Sequence, residues 1–422
     1  MGTEILLLVF LMGMAGAAMG AFTGLVPGIH VNTLATLMLA SYPLLFATIS
    51  TFAEPEMVPV LVCSCILSAS VVHSFVDFIP SVFLGAPDAD EALTMLPGHR
   101  LLMKGEGMTA VRAAASGSAV GALSAVALSI PIQFIMLHGA AEIMDDITLF
   151  VVIFVSGVII FSAKGLEGRL LAFLLFIVAG FLGVVCGMDV VPSRGPFGEG
   201  TLLFPLLSGL FGIPPLLNSV SNGEMPEQYD IGEDPVGPVP GLKGVLTGSV
   251  AGWFPGITAT AGAALSASIS REERPENFIS LVASIGTVTS VFSIVTLSVT
   301  GSGRSGTSSV IKEIIGDGLD GFLSESFILL LLTICIASAI GYVITITAGK
   351  GMSAVASRID PYKMSIGALV TVVTLVVLMT GVGGLVVLVI ATLLGLVPQN
   401  AGAGRIPLTG CLLLPVILNG FL

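Results

Sequence analysis

The sequence predicts an all-α polytopic membrane protein, with about ten to twelve transmembrane helices in two inverted-topology repeats that contain Pro-Gly-broken helices or re-entrant hairpins. Three observations lead to this fold class: the composition, the recurrence of long apolar runs and a duplicated glycine motif. Of the 422 residues, 55% are hydrophobic and only 10% are charged, and the mean hydropathy is +1.05. These values are typical of an integral membrane protein.

The composition also excludes several classes. The 52 glycines and the low aromatic content of 7% favour a closely packed helical bundle over a membrane β-barrel. Fifteen Lys and Arg against 27 Asp and Glu give a net charge of -12, which makes nucleic acid an unsuitable partner. The five cysteines lie in apolar runs without the spacing of metal or redox motifs, so we expect small core residues, no metal and no cofactor.

Apolar runs of about 20 residues, enough to cross the hydrocarbon core, recur along the chain. Two longer polar connections interrupt them, at 88–112 and in the acidic, Pro-rich stretch 222–240. We expect a first membrane repeat with extra spans at 1–219, a connecting loop at 220–241 and a second membrane repeat with extra spans at 242–422. The expected spans are near 5–26, 29–49, 57–83, 110–136, 147–163, 168–188, 201–219, 242–270, 278–300, 325–347, 364–380, 382–398 and 406–421.

An internal repeat is the most informative feature of the sequence. Residues 13–29 read G-x-x-G-x-x-x-G-x-x-x-G-x-x-P-G-I, and residues 241–257 repeat this pattern position for position. The connection after the first copy carries Glu54 and Glu56, whereas the connection after the second carries Arg271 and Arg274. Because cations mark the cytoplasmic side, the two connections are expected on opposite sides and the copies are expected to be inverted.

The Pro-Gly pairs interrupt apolar helices, since proline lacks a backbone donor and glycine permits a sharp turn. Freed backbone groups in a membrane are tolerated where protein or a water-filled cavity satisfies them. We therefore expect the two breaks to approach one another and the polar residues after them to line a cavity; a turn at the membrane surface is the alternative. Those residues are His30 and Asn32 in the first copy and Thr258 and Thr260 in the second.

A second pair of small-residue segments, 85–90 and 301–309, lies at the ends of the predicted spans 57–83 and 278–300. Each precedes a possible short helix, whose first N–H groups would face an anion. Arg304 would add a charge that grips a carboxylate with two donors, unless it is a surface cation. The expected substrate-binding residues are Gly28, His30, Asn32, Gly85, Pro87, Asp88, Gly256, Thr258, Thr260, Gly301, Gly303, Arg304, Ser305 and Thr307.

His73 and Asp77 are four residues apart and share one helix face. Ionisable groups inside a span usually face the bundle interior or an ion path. With Asp90 they are the expected coupling residues for H+ or Na+, and ordinary polar ends near the interface are the alternative.

Three short motifs stand out together: the two Pro-Gly-Ile breaks, the stretch from Ile79 to Asp90 and Leu96-Pro97-Gly98-His99. In these motifs the chain resembles the TctA family, the large membrane permease subunit of tripartite tricarboxylate transporters. The resemblance implies a small membrane subunit and an extracytoplasmic binding protein as partners.

The expected function is a secondary active transporter in the plasma membrane that moves a small organic anion, such as a di- or tricarboxylate, coupled to protons or sodium. Membrane lipid and further copies of the chain are its other expected partners. A flippase for a lipid-linked anion such as a polyprenyl phosphate would use the same breaks. An intramembrane enzyme is disfavoured, because the sequence lacks G-x-S-x-G and H-E-x-x-H motifs.

Overall fold

The structure is a computed structural model, and the part of the chain that it describes is almost wholly helical. Its only strands there are β1 (Arg194–Gly195) and β2 (Gly198–Glu199), which form a short antiparallel ribbon. The described residues are 3–26, 31–84, 93–188, 190–196, 198–214, 217, 226–254, 259, 262–263, 265–266, 274–303, 305–356 and 361–421.

Ten α-helices of the described part precede the acidic connection. They are α1 (Thr3–Leu25), α2 (Val31–Ala40), α3 (Tyr42–Ile49), α4 (Val58–Val76), α5 (Phe78–Leu84), α6 (Met95–Leu102), α7 (Gly107–Ile135), α8 (Ala141–Phe161), α9 (Gly165–Gly187) and α10 (Leu203–Leu207).

Six more helices follow the connection among the described residues. They are α11 (Pro238–Trp253), α12 (Pro275–Thr300), α13 (Gly306–Ile315), α14 (Glu325–Ala356), α15 (Pro361–Asn400) and α16 (Gly410–Phe421).

Seven helices in the described ranges are long and apolar enough to cross a membrane, and three shorter apolar helices accompany them. The all-α polytopic fold class is confirmed. The span expected at 29–49 is divided into α2 and α3 at Ser41, where Pro43 enters the first turn of α3. The two spans expected at 364–380 and 382–398 correspond to the two parts of α15, which is broken at Gly381 (φ 66°, ψ -152°), where the backbone is not helical and favours glycine.

The helix α4 lies at the centre of the largest core cluster. In an 18-residue apolar stretch of the span that contains α4, 89% of the residues are buried. The corresponding share is 28% for α1 and 78% for α12. Outer helices expose large apolar side chains, such as Phe154 and Leu170, as expected for surfaces that contact lipid. α4 and α12 are therefore the interior helices against which a central site would be built.

Candidate functional site at the helix breaks

The two glycine helices pack in the same way. α1 lies against α4, and α11 lies against α12; a Cβ on Gly16 would overlap the backbone of Cys65, and one on Gly244 would overlap the backbone of Leu281. Ser68 Oγ donates to Gly13 O over 2.6 Å, and Ser284 Oγ donates to Gly241 O over the same distance. Gly13 and Gly241 hold the same place in the two copies of the motif, so Ser68 and Ser284 are equivalent on the partner helices. The duplicated motif therefore marks an equivalent helix pair in each half.

Within each pair the helices run in the same direction. The successive contacts are Gly16 with Cys65, Gly20 with Ala69 and Gly24 with His73 in the first pair, and Gly244 with Leu281, Gly248 with Ile285 and Gly252 with Thr289 in the second. Because both residue numbers increase together, each pair is parallel. The small glycines permit this close approach of two backbones.

Contacts across the halves show the relative direction of the two pairs. α7 is parallel to α12, since Ser118 Oγ donates to Ala283 O (3.4 Å) and Gln133 Nε2 donates to Ser298 Oγ (3.0 Å). α14 is antiparallel to α7, because Leu323 N, just before α14, donates to Gln133 Oε1 near the end of α7. Gly349, near the end of α14, lies against Val111 near the start of α7.

Two contacts give the direction of α14 relative to α4. Ile336 lies beside Gly13, which is bonded to Ser68 on α4, and further along both helices Thr345 Oγ1 donates to Phe75 O over 2.9 Å. α14 is therefore parallel to α4 and antiparallel to α12, so α4 and α12 run in opposite directions. These directions favour the expected inversion, which stays a prediction as far as the membrane sides are concerned.

The start of α2 meets the start of α13. Asn32 Oδ1 accepts hydrogen bonds from Thr307 N at 3.0 Å and from Thr307 Oγ1 at 2.8 Å. A Cβ on Gly306 would lie 2.8 Å from Asn32 Cγ, so the glycine permits this contact. Asn32, which follows the first Pro-Gly pair by four residues, thus lies at a helix N-terminus supplied by the second half.

The N-terminus of α13 carries a capping box. Ser308 N donates to Ser305 Oγ (3.1 Å) and Ser305 N donates to Ser308 Oγ (2.8 Å). This mutual capping satisfies two backbone donors and fixes the first turn. The short helix α6 follows the segment 85–90, as the sequence predicts, whereas α13 begins within the segment 301–309, at Gly306.

The two glycines expected in this segment have structural roles. Gly301 ends α12 in the left-handed region (φ 67°), and Gly303 lies so close to Ser309 that a Cβ would be 2.5 Å from Ser309 N. Ten of the expected site residues lie outside the described residues: Gly28, His30, Gly85, Pro87, Asp88, Asp90, Gly256, Thr258, Thr260 and Arg304. The approach of the two Pro-Gly breaks to one another therefore stays a prediction.

The His73 and Asp77 pair is buried between α1 and α4. His73 and Asp77 are only 4% and 6% exposed, and His73 Nε2 lies 3.8 Å from Asp77 Oδ2. Thr23 Oγ1 on α1 lies 3.0 Å from His73 Nδ1. When α4 is aligned with α12 through the two equivalent serines, the counterparts of His73 and Asp77 are Thr289 and Ser293. The ionisable pair thus belongs to the first of the two equivalent helix pairs, and the second has hydroxyls there.

The acidic connection docks on the membrane bundle, a feature that the sequence analysis missed. Arg112 Nε donates to Asp230 Oδ1 (2.6 Å) and Arg112 Nη2 donates to Asp230 Oδ2 (2.7 Å), while Lys350 Nζ lies 3.7 Å from Asp230 Oδ2. The hydrogen bond from Arg112 lowers the pKa of Asp230 to about 2.

The same connection is also held by Gln228, which accepts a hydrogen bond from Gly107 N and donates one to Leu102 O. Arg112 belongs to α7 and Lys350 to α14, so the carboxylate of Asp230 ties together helices from both halves.

The comparisons with known proteins agree with this architecture. The model of the tripartite tricarboxylate transporter TctA family matches residues 10–410. An uncharacterized protein of Methanocaldococcus jannaschii is 29% identical over 304 residues, which cover 70% of each chain. No solved structure matches the chain. Because the family model covers nearly the whole sequence, the chain belongs to the TctA family of tripartite tricarboxylate transporters.

Proposed function

We propose that this chain is the permease subunit that carries a small organic anion, a di- or tricarboxylate, through the plasma membrane with protons or sodium as the coupling ion. The observation that carries the proposal is the junction of Asn32 with Thr307, which joins a broken helix of one half to a helix N-terminus of the other. Asn32 and the capping box already accept hydrogen bonds from the first turn of α13, so this terminus would favour an anion through the helix dipole.

Two repeats, at 1–219 and 242–422 and related by inversion, are part of the proposal, with 220–241 as their connection. The opposite directions of α4 and α12 support it, as does the reciprocal pairing of α7 with α12 and of α14 with α4. Alternating access is commonly achieved by moving one such repeat against the other around a central site.

His73 and Asp77 would carry the coupling ion. Their burial and their position beside Thr23 support a role in a proton or sodium path, because unsolvated ionisable groups in a span are costly. Since family members work in tripartite systems, this chain would act with a small membrane subunit and an extracytoplasmic binding protein.

The test is uptake by proteoliposomes that contain the purified chain, alone and together with its partner subunits. A panel of di- and tricarboxylates is offered while the proton and sodium gradients are varied separately. Uptake that needs one gradient and exceeds that of protein-free vesicles supports the proposal. Movement of a fluorescent polyprenyl phosphate between leaflets, without carboxylate uptake, would support the flippase instead.

Asn32→Ala is the site variant for this assay, and Thr36→Val is its matched control. Thr36 lies one turn later on α2, is exposed at the helix surface and bonds only the carbonyl of Asn32 in its own helix. Loss of uptake in both variants would point to a damaged α2 rather than to a site at Asn32.

A further inference from the structure

The interior helices α4 and α12 are each exposed at one short stretch. Between Val60 and Phe83 every residue is buried except Ser70 and Ser74. Between Ile279 and Ser298 the exceptions are Gly286, Thr289 and Ser290. Both interior helices therefore border an open space, in the second half of α4 and near the middle of α12.

The two openings are equivalent. The alignment of α4 with α12 that pairs Ser68 with Ser284 also pairs Ser70 with Gly286 and Ser74 with Ser290. The local bonding is the same, because Ser74 Oγ donates to Ser70 O (3.1 Å) and Ser290 Oγ donates to Gly286 O (3.2 Å). A Cβ built on Gly286 meets no atom within 4 Å. Each half therefore contains one such opening, at equivalent positions.

The opening on α4 faces α13. At 100° per residue, Ser70 and Ser74 lie within about 20° of Cys63 around the helix. Cys63 Sγ lies 3.8 Å from Ile311 O on α13, the helix whose first turn is bonded to Asn32. The partly exposed serines therefore lie on the side of α4 that α13 covers.

A buried hydroxyl extends the same face. Ser81 on α5 is 2% exposed, and its Oγ has no hydrogen-bond partner among the described residues. It follows Ser74 by seven residues, two helical turns, and so continues the line of Ser70 and Ser74. Buried polar groups are normally satisfied, so this hydroxyl is free to bond a water or a solute molecule.

We infer that Ser70, Ser74 and Ser81 on one side and Gly286 and Ser290 on the other line the anion pathway. Ser81 Oγ donates to a carboxylate oxygen of the solute, and Ser74 and Ser290 do so by exchanging their bonds to Ser70 O and Gly286 O. The inference rests on the proposed function, since it takes the solute to be a small di- or tricarboxylate. Hydroxyl donors bind a carboxylate without a fixed charge.

Cysteine accessibility tests the inference. Ser74→Cys, Ser290→Cys and Gly286→Cys are labelled in membranes with a charged, membrane-impermeant maleimide, with and without citrate or succinate. Gly286→Cys is included because its Cβ has open space, so this variant is expected to fold even if a serine variant does not. Ser68→Cys and Ser284→Cys are matched controls, because both serines are fully buried neighbours on the same helices. The parent protein gives the background of the native cysteines.

We expect the three test positions to react at least about tenfold faster than the two controls, because thiol labelling follows access to the thiolate. Citrate or succinate should slow that labelling. Labelling no faster than the controls, or only by a lipid-soluble maleimide, would overturn the aqueous opening. Rapid labelling that neither carboxylate slows would overturn the anion assignment. If citrate or succinate slows the labelling but the proteoliposomes show no uptake, the binding site stands and the proposed transport is wrong.

Discussion

Asn32 accepts two hydrogen bonds from Thr307, a residue 275 positions later in the chain. One donor is the backbone N–H in the first turn of α13 and the other is the threonine hydroxyl. An amide oxygen therefore occupies a place at this N-terminus where an anion would be favoured. The bond links the break after α1 to the short helix of the other half.

Asn32→Ala should reduce carboxylate uptake roughly tenfold or more, because it leaves two part-buried donors of Thr307 without their acceptor, a loss that typically costs about 1–3 kcal/mol. Thr307→Val removes only the hydroxyl. A double-mutant cycle on uptake measures the coupling, and the double variant should lose less than the sum of the two single losses. Strictly additive losses would mean that the bond does not act in transport.

The double variant His73→Thr with Asp77→Ser gives the first helix pair the residues of the second. We expect this variant to fold but to lose the acceleration of uptake by the coupling gradient, since no ionisable group remains at that place. The measurement is uptake with the proton and sodium gradients imposed one at a time. Thr289→Ser is the control on α12. An unchanged gradient dependence in the double variant would remove His73 and Asp77 from the ion path.

The sequence predicted the features that depend on local pattern. Apolar length located the long helices, and the spacing of Gly13 and Gly241 located two helix pairs that the structure packs alike. The partners of the breaks were less predictable. The bond of Asn32 to Thr307 could not be predicted, because pairing across hundreds of residues depends on how helices pack and not on local pattern. Thr258 and Thr260 lie outside the described residues, so the cavity expected around them and Asn32 stays a prediction.

The anchoring of Asp230 was missed for a similar reason. An acidic, proline-rich stretch is typical of a solvated loop, and nothing local distinguishes Asp230 from Asp234. Arg112 near the start of α7 was a visible signal, since a cation at the end of a span needs a counter-charge when it is buried.

Gly16→Ala should lower the melting temperature strongly, because its Cβ would overlap the backbone of Cys65, which cannot rotate away. Overpacking of this kind typically costs about 1–3 kcal/mol or more. Gly157→Ala on α8 is the matched control, since nothing lies within 4 Å of its Cβ and alanine is the better helix former. Thermal unfolding in detergent, followed by circular dichroism, compares the two. Equal melting temperatures would mean that α1 can move away from α4.

Asp230→Asn should lower the melting temperature at pH 7, because it removes the carboxylate that Arg112 and Lys350 share. The pKa of Asp230 is about 2 in the folded protein, below its ordinary value of 3.8. A carboxyl with a lowered pKa stabilises the fold fully above its unfolded pKa and loses that contribution as the pH falls through the folded pKa. The difference between wild type and Asp230→Asn should therefore be constant above about pH 5 and shrink as the pH falls from about 4 to 2. Asp317→Asn is the control, because Asp317 is 88% exposed in its pair with Lys312 and such surface pairs contribute little. A variant that melts like wild type at pH 7, or a control that falls equally, would show that the connection is not held to the bundle by this carboxylate.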